Sequence, residues 1–183
     1  GASMAELFAK NGAKVIVADI NLDNARNVAE QMGGYPLQVD VSNADSVRQM
    51  KKNVFDQCQK VDILVNNAGI THLPAPMETI EEEEFDRVFN VNCKSVYLTA
   101  KEFVPHFKEN KSGVILNIAS TAGVSPRPNL NWYNSSKGWM ILASKTMAVE
   151  LAPFGIRVNV VNPVAGETPL LKSFLGEDTP EMR

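Results

Sequence analysis

Apolar and polar residues alternate along this chain in blocks that predict strands and helices in turn. Short runs rich in β-branched residues are typical of buried strands, and segments whose apolar residues recur every three or four positions predict helices. Runs that predict strands lie at 14–20, 36–41, 61–67, 113–120 and 156–163. Segments that predict helices lie around them, from the first residues to Gly12 and at 21–31, 42–60, 79–107 and 132–151.

The strict alternation of strands and helices predicts an α/β fold with a doubly wound, mostly parallel sheet. Near-continuous apolar strands need cover on both faces, so we expect three layers, α/β/α, in the Rossmann-like arrangement. Ligands of such sheets bind at the carboxyl ends of the strands. Polar residues cluster at those predicted ends, at Asp19, Asp40, 66–69, Ser120 and 162–168.

Two of the predicted helices begin with capping signals. Ser42 is followed three residues later by Asp45, and Thr79 is followed by Glu82. A hydroxyl at the N-cap with an acidic residue three positions on is typical of a helix start. We therefore expect helices to begin at Ser42 and Thr79.

Composition favours one domain that acts on small molecules. The chain has 183 residues, 44% of them hydrophobic, which is enough for a single core. Its net charge is −3 with both signs interspersed, which argues against nucleic acid or an anionic membrane as partner. Two cysteines and two histidines suggest neither a disulfide scaffold nor a metal site, and no run is long enough to span a membrane. We expect a cytoplasmic protein.

Tyr133 and Lys137 stand four residues apart in a predicted helix, so their side chains share a face. A positive charge close to a phenol favours the phenolate and lowers its pKa. The pair therefore suggests an acid/base group, although an exposed polar face is the alternative. One pair of residues does not decide between the two.

Other polar residues also have two interpretations. Asp19 ends the strand after the first helix, where a carboxylate can bind the ribose hydroxyls of a dinucleotide, but it can equally cap the next helix. The segment 66–69 is either a ligand-binding strand end or a plain turn. Asn90 and Asn92 lie in an otherwise apolar helix, where a buried amide needs partners or bends the helix.

Taken together, NNAG at 66–69, Asn92, Ser120, YNSSK at 133–137 and NPVAGETP at 162–169 resemble the short-chain dehydrogenase/reductase family in order and spacing. The serine precedes the tyrosine by 13 residues, as in the NNAG-bearing branch of that family. The resemblance covers essentially the whole chain. It implies an oxidoreductase that transfers a hydride between NAD(H) and a secondary alcohol or ketone, without a metal.

The resemblance also implies catalytic roles. Tyr133 acts as acid/base, Lys137 lowers its pKa and holds the nicotinamide ribose, and Ser120 orients the substrate oxygen. Asn92 supports a water-linked proton relay to Lys137. These roles suit the chemistry, because ketone reduction builds negative charge on an oxygen that a phenol and a hydroxyl can both stabilise.

For the cofactor, the resemblance implies binding residues spread along the strand ends. They are Gly1, Asp19, Asp40, Val41, Asn67, Ala68, Gly69, Tyr133, Lys137, Pro163 and Thr168. Asp19 should favour NAD over NADP, because its carboxylate repels a 2′-phosphate. The chain reads Pro163-Val164 where the family usually has Pro-Gly, which reduces the backbone freedom of that turn.

The chain ends differ from the family pattern. Family members begin with a strand and a T-G-x-x-x-G-x-G motif, whose last glycine corresponds to Gly1, and they continue past residue 183 through a helix and a strand. We therefore expect a single domain, 1–183, without the first strand, the start of the glycine loop and the C-terminal region. Residues 1–3 could instead be an artificial leader before Met4. The full-length protein is expected to form a homodimer or homotetramer.

Two other functions stay open. The chain could be a non-catalytic NAD-binding domain or an inactive fragment, although a sensor has no need of all four catalytic-type residues. It could also belong to the longer branch of sugar-nucleotide epimerases and dehydratases, which the NNAG segment argues against. The substrate itself is not indicated by the candidate wall residues Thr71, His72, Leu73, Arg127, Leu130 and Trp132.

Overall fold

A computed structural model describes residues 1–164, 166, 171, 173 and 174 of the chain. Strands and helices alternate in it as the sequence predicts. The strands are β1 (Ile16–Asp19), β2 (Tyr35–Gln38), β3 (Ile63–Asn66), β4 (Gly113–Ile118) and β5 (Ile156–Val161). The helices are α1 (Ala2–Lys10), α2 (Leu22–Glu30), α3 (Ala44–Cys58), α4 (Glu82–Phe89), α5 (Ser95–Asn110) and α6 (Asn131–Leu151).

All strand pairs in the described part of the chain are parallel. β1 pairs with β2, and β4 lies between β3 and β5 with Ile115 opposite both Leu64 and Val158. These parallel strands with helices packed against them confirm the predicted Rossmann-like α/β class. These strands form two sheets, because β1 and β3 do not pair with each other among the described residues, as expected if the family's first strand lies between them.

The main core lies between the strands and α3, α5 and α6. Phe103 and Phe107 of α5 pack in it with Ile115 of β4 and Val47 of α3, and each is no more than 2% exposed. β1 is only half-buried, and Ala18 is exposed, although its β-branched run predicts a buried strand. The reason is that β1 has a pairing partner on one edge only within the described residues.

Both predicted N-caps are wrong, by one residue for α3 and by two for α4, whose N-caps are Asn43 and Glu81. α3 is capped by Asn43, whose side chain accepts from the Ser46 amide, while Ser42 hydrogen-bonds Asp40 instead. Thr79 ends a short 3₁₀ turn and donates its hydroxyl to the Pro76 carbonyl. α4 therefore begins only at Glu82.

The long helix predicted at 79–107 is two α-helices joined by a π-helical turn, Asn90–Lys94. The turn contains Asn92, which is fully buried. π-turns inside helices cost regular hydrogen bonding and occur mainly where function requires them. Pro105 lies within α5 and does not end it. In the described residues, no helix combines the length and apolarity required to cross a membrane.

Candidate active site

Helix α6 places Tyr133 and Lys137 on one buried face. Each residue is only 4% exposed, and the Lys137 ammonium nitrogen lies 5.9 Å from the centre of the Tyr133 ring. The alternative of an exposed polar face is therefore wrong. The i, i+4 spacing brings the two groups together, as the sequence predicts.

Lys137 is a buried lysine with a fixed partner. Its Nζ donates to the Ile118 carbonyl at the end of β4, at 2.9 Å. Burial lowers the pKa of Lys137 to about 8, because the interior disfavours the charged form. Gly69 lies directly against it, and a β-carbon at Gly69 would come within 3.1 Å of the ammonium nitrogen.

The Tyr133 phenol is enclosed by residues from two other segments. The Ser120 side chain lies beside it, and the tyrosine ring packs edge-on against Phe174 with centroids 4.9 Å apart. Burial raises the pKa of Tyr133, and the neighbouring Ser120 hydroxyl offsets part of that rise. The expected lowering of this pKa by Lys137 is therefore wrong for this structure, where desolvation of the phenolate has the largest effect and Ser120 is the group that opposes it.

Ser120 lies at the start of a short 3₁₀ turn, Thr121–Gly123, just past β4. Its hydroxyl oxygen accepts from the Ala122 amide at 3.1 Å. The Thr121 amide and hydroxyl donate to the Pro163 carbonyl at 3.0 and 3.3 Å, which ties this turn to the end of β5. The position of the Ser120 hydroxyl is thus set by the turn.

The Asn92 side chain joins three elements of the site. Its Oδ1 accepts from the Ile70 amide, and its Nδ2 donates to the Ile70 carbonyl and to the Ser136 hydroxyl, all at 2.9 Å. It therefore holds the segment after β3 against α6, next to Lys137. The two interpretations of Asn92 converge, since the residue has buried partners and also lies in the π-turn.

The two acidic strand ends serve local structure as well as facing the proposed cofactor edge. Asp19 accepts from the Asn21 amide at 2.9 Å, but the capping interpretation is wrong, because Asn21 caps α2 by accepting from the Asp23 and Asn24 amides. Asp40 accepts from the amide and the hydroxyl of Ser42 at 2.9 and 2.6 Å. Both residues are half-buried, and Val41 packs partly buried against the main core.

The remaining cofactor candidates lie along the same carboxyl edge of the strands. Asn67 and Ala68 are exposed after β3, and a β-carbon at Gly1 would come within 2.9 Å of the Asn67 amide nitrogen. Among the described residues, the buried Asn162 Oδ1 beside Pro163 has no hydrogen-bond partner. A buried acceptor of this kind fits a polar ligand such as a dinucleotide at this edge. Thr168 lies outside the described residues.

Sequence analysis missed a buried chain of polar side chains beneath the site. Thr99 of α5 donates to Asn66, Asn66 donates to Asn117, and Asn117 donates to Ser144 of α6, at 2.8–2.9 Å. Each of the four is at most 9% exposed. The available signal was an asparagine within each of two apolar strands, since buried amides need partners.

The residues that we expected to line the substrate pocket differ in burial and in their contacts. Thr71 and His72 are buried beside the site, and Arg87 donates to the Thr71 carbonyl at 3.1 Å. Trp132 donates to the Met77 carbonyl at 3.2 Å, and Leu130 is buried, whereas Leu73 is 64% exposed. Arg127 lines an open cavity of about 460 Å³, which it shares with Pro76, Met77, Glu78 and Asn134 among others.

Known proteins resemble the chain over nearly all its length. A family model described as short chain dehydrogenase matches residues 1–178. The 4-formylbenzenesulfonate dehydrogenase of Comamonas testosteroni is 44% identical over 189 aligned residues, which cover all of this chain and 75% of that protein. A cyclopentanol dehydrogenase of the same organism is 35% identical, covering 99% of this chain and 73% of that one.

The chain is also similar to solved structures of dehydrogenases and reductases. The crystal structure of a 3-ketoacyl-(acyl-carrier-protein) reductase from Brucella melitensis, complexed with NADH, matches with a TM-score of 0.94 and 48% sequence identity. The match covers 96% of this chain and 75% of that one.

Proposed function

The chain belongs to the short-chain dehydrogenase/reductase family of NAD(P)-dependent oxidoreductases, and we propose that it interconverts a secondary alcohol and a ketone with NAD. One observation carries the proposal. A phenol and an ammonium group are buried on the same face of α6, and the Ser120 side chain, just past the end of β4, lies beside the phenol. Burying two ionisable groups is costly, so their presence favours a chemical task over a structural one.

Tyr133 would transfer the proton. Because burial keeps its pKa above the ordinary value, the phenol holds its proton at neutral pH and can donate it to a ketone oxygen. In alcohol oxidation the phenolate would accept the hydroxyl proton, and the Lys137 ammonium would stabilise that phenolate. Ser120 would hydrogen-bond the substrate oxygen from the other side. Bound NAD supplies the hydride acceptor or donor.

Lys137 and Asn92 would hold this proton-transfer site in place. The Lys137 ammonium has one donor engaged by the Ile118 carbonyl, which leaves donors for the nicotinamide ribose. Asn92 fixes the Ile70 backbone beside it, and we propose that it also supports a water-linked proton relay to Lys137. Both roles require side chains that are already held by the protein before ligands bind.

NAD would lie along the carboxyl edge of the strands, from Asp19 past Asp40 and Val41 to 67–69 and Pro163. The Asp19 carboxylate supports a preference for NAD, since it can accept from ribose hydroxyls and repels a 2′-phosphate. Gly69 leaves room beside Lys137 for the nicotinamide end, and Gly1 and Asn67 approach closely at the other side.

The name of one relative supports the alcohol class of substrate. Cyclopentanol is a secondary alcohol on a small ring, and the relative that is named for oxidising it is 35% identical to this chain. Another relative is named for a substrate with a formyl group, so an aldehyde is the second candidate. The competing function is a non-catalytic NAD-binding domain.

The full-length protein is also proposed to form a homo-oligomer. Apolar side chains project from the outer faces of α5 and α6, where Tyr97 is 54% exposed, Leu142 68% and Val149 78%. A face of this kind is typical of a surface covered by a second copy. Light scattering after size exclusion should show dissociation in Leu142→Lys but not in Leu7→Lys, a change at an exposed leucine of α1.

The test is a dehydrogenase screen of the full-length protein against a panel of alcohols, ketones and aldehydes, followed by absorbance of NADH at 340 nm. Tyr133→Phe should lower kcat by about 10²-fold or more, while the Kd for NAD stays within about twofold. NAD binding without turnover on any compound would favour the non-catalytic domain. Turnover that survives Tyr133→Phe would refute the proposed proton transfer.

A further inference from the structure

The turn that carries Ser120 touches the backbone of α6 through a glycine. A β-carbon placed on Gly123 would lie 2.7 Å from the Gly138 amide nitrogen and 2.7 Å from the Lys137 carbonyl carbon. Ordinary van der Waals contact is 3.4–4 Å, so no other residue fits without a shift of backbone. The contact falls on the helix directly after Lys137 and one turn from Tyr133.

We propose that Gly123 is a positioning residue, which sets the distance between the Ser120 hydroxyl and the Tyr133 phenol by letting the turn rest on the α6 backbone. The inference rests on the proposed function and names a further residue of its site. Gly123 itself has no functional group, so it acts through Ser120 and not on the substrate.

The neighbouring hydrogen bonds link Gly123 firmly to Ser120. The Gly123 amide donates to the Ser120 carbonyl at 3.1 Å, and the Ser120 hydroxyl accepts from the Ala122 amide. The Thr121 bonds to Pro163 hold the opposite side of the turn. A displaced Gly123 therefore carries the Ser120 hydroxyl with it.

The required displacement is large on the scale of proton transfer. Restoring ordinary contact for a β-carbon at Gly123 needs a movement of about 0.7 Å between turn and helix, and misplacement of about 1 Å costs on the order of 10²-fold in rate. The three-residue turn should move and the 21-residue helix should stay, because α6 is packed along its length.

The two faces of the contact offer a matched pair of substitutions. A β-carbon at Gly138 would meet only the Gly123 carbonyl oxygen, at 3.5 Å, which is ordinary contact. Gly123→Ala and Gly138→Ala thus add the same methyl group to opposite sides of one contact. We expect the first to lower kcat by about 10- to 100-fold and the second to leave kcat within about twofold.

A second control separates positioning from general destabilisation. Gly113 is the first residue of β4, at the end of the strand that is remote from Ser120. A β-carbon there would come within 2.6 Å of the Phe107 ring, which is fully buried. Gly113→Ala should therefore lower Tm with kcat unchanged, because its overlap is remote from the site. Gly123→Ala should lower kcat beyond any change in Tm.

The pH profile gives a readout that a purely structural role would not move. Moving the Ser120 hydroxyl away from the phenol should raise the pKa of Tyr133, which Ser120 lowers, so the rise of alcohol oxidation with pH should shift upward in Gly123→Ala. Lys137 is the charged group that faces the phenol, and it is retained in every variant. The Kd for NAD and the KM for substrate should stay within about twofold.

The experiment measures kcat, KM, pH profile and Tm for the full-length wild type and the three variants. If Gly123→Ala does not fold, Gly123→Ala with Ile141→Val is used, since Val lacks the Ile141 Cδ1 that lies 2.9 Å from the added carbon, while the backbone overlap remains. Equal kcat and pH profile in Gly123→Ala and Gly138→Ala would overturn this inference alone. Failure of both Gly123 variants to fold beside a folded Gly113→Ala would also overturn it. A wild type without turnover would overturn the proposed function as well.

Discussion

We expect the buried charge of Lys137 to lower the free energy of unfolding, and we expect the size of this effect to depend on pH. Burial lowers its pKa from 10.5 to about 8, which corresponds to roughly 3 kcal/mol against the charged form. Below pH 8 the lysine is charged in both folded and unfolded protein, so the full penalty applies. Between pH 8 and 10.5 the folded protein releases the proton first, so the penalty declines as pH rises.

Lys137→Met removes this penalty and also removes a hydrogen bond. The Ile118 carbonyl, which accepts from Lys137 at 2.9 Å, is left without that donor, at a cost of about 1–3 kcal/mol. At pH 7 the variant should therefore match the wild type or exceed its free energy of unfolding by up to about 2 kcal/mol. At pH 10.5 it should be less stable by about 1–3 kcal/mol, because the wild-type penalty has disappeared. Turnover should be lost throughout.

The measurement is urea unfolding of the full-length proteins at one concentration, at intervals from pH 7 to 10.5. Titrating groups remote from Lys137 cancel in the difference between variant and wild type. Cys93 is coupled to Lys137, but burial raises its pKa to about 11, above the range measured. Lys52→Met, a change at an exposed lysine of α3, is the matched control and should give a difference that does not vary with pH. A pH-independent difference for Lys137→Met as well would refute the reasoning that a charged lysine is buried here.

Three further outcomes are expected. Asp19→Ser should narrow the ratio of kcat/KM for NAD over NADP, and a wild-type preference for NADP would contradict the role of this carboxylate. Asn92→Ala should lower the free energy of unfolding by about 1–3 kcal/mol in urea titrations, since it removes the side chain that bonds both backbone groups of Ile70. Unchanged stability would show that these two hydrogen bonds are not needed for folding. Residues 1–183 taken alone should bind NAD weakly by calorimetry, because β1 and β3 each keep an unpaired edge within the described part, and tight binding would show that these edges do not matter.

The fold class and the placement of the Tyr133–Lys137 pair are predictable because they leave periodic or spaced signals. Apolar runs such as 113–120 and 156–163 give β4 and β5, and four-residue spacing gives the Tyr133–Lys137 pair. Helix starts are less predictable, because several hydroxyl and amide side chains compete locally for the first amides. Asn43 caps α3 in preference to Ser42, whose hydroxyl is taken by Asp40.

The π-turn could not be predicted in the same way. A π-turn adds one residue without changing the apolar pattern, so 90–94 is indistinguishable from helix until Asn92 is seen to bond Ile70 and Ser136. The separation of β1 from β3 follows from the family resemblance, which places another strand between them, and not from periodicity, which indicates only that each is a strand. The hydrogen-bond partners of a buried amide are determined by the tertiary structure.

The site also depends on glycines and buried amides that take no part in the proposed reaction. Ser120 follows β4, whereas Tyr133 and Lys137 lie on α6. Gly123 lets the turn next to Ser120 approach the α6 backbone, and Gly69 lets the segment after β3 approach Lys137. The buried amides Asn66 and Asn117 then join β3 and β4 to α5 and α6 by hydrogen bonds whose geometry permits little adjustment. A charged lysine destabilises this arrangement by burial, and directional bonds can hold it in one position where apolar packing alone would let it relax toward solvent. Polar residues in the core therefore serve catalysis by restricting Lys137 and Tyr133 to one geometry, which is why a methyl group at Gly123 is expected to change the rate more than the stability.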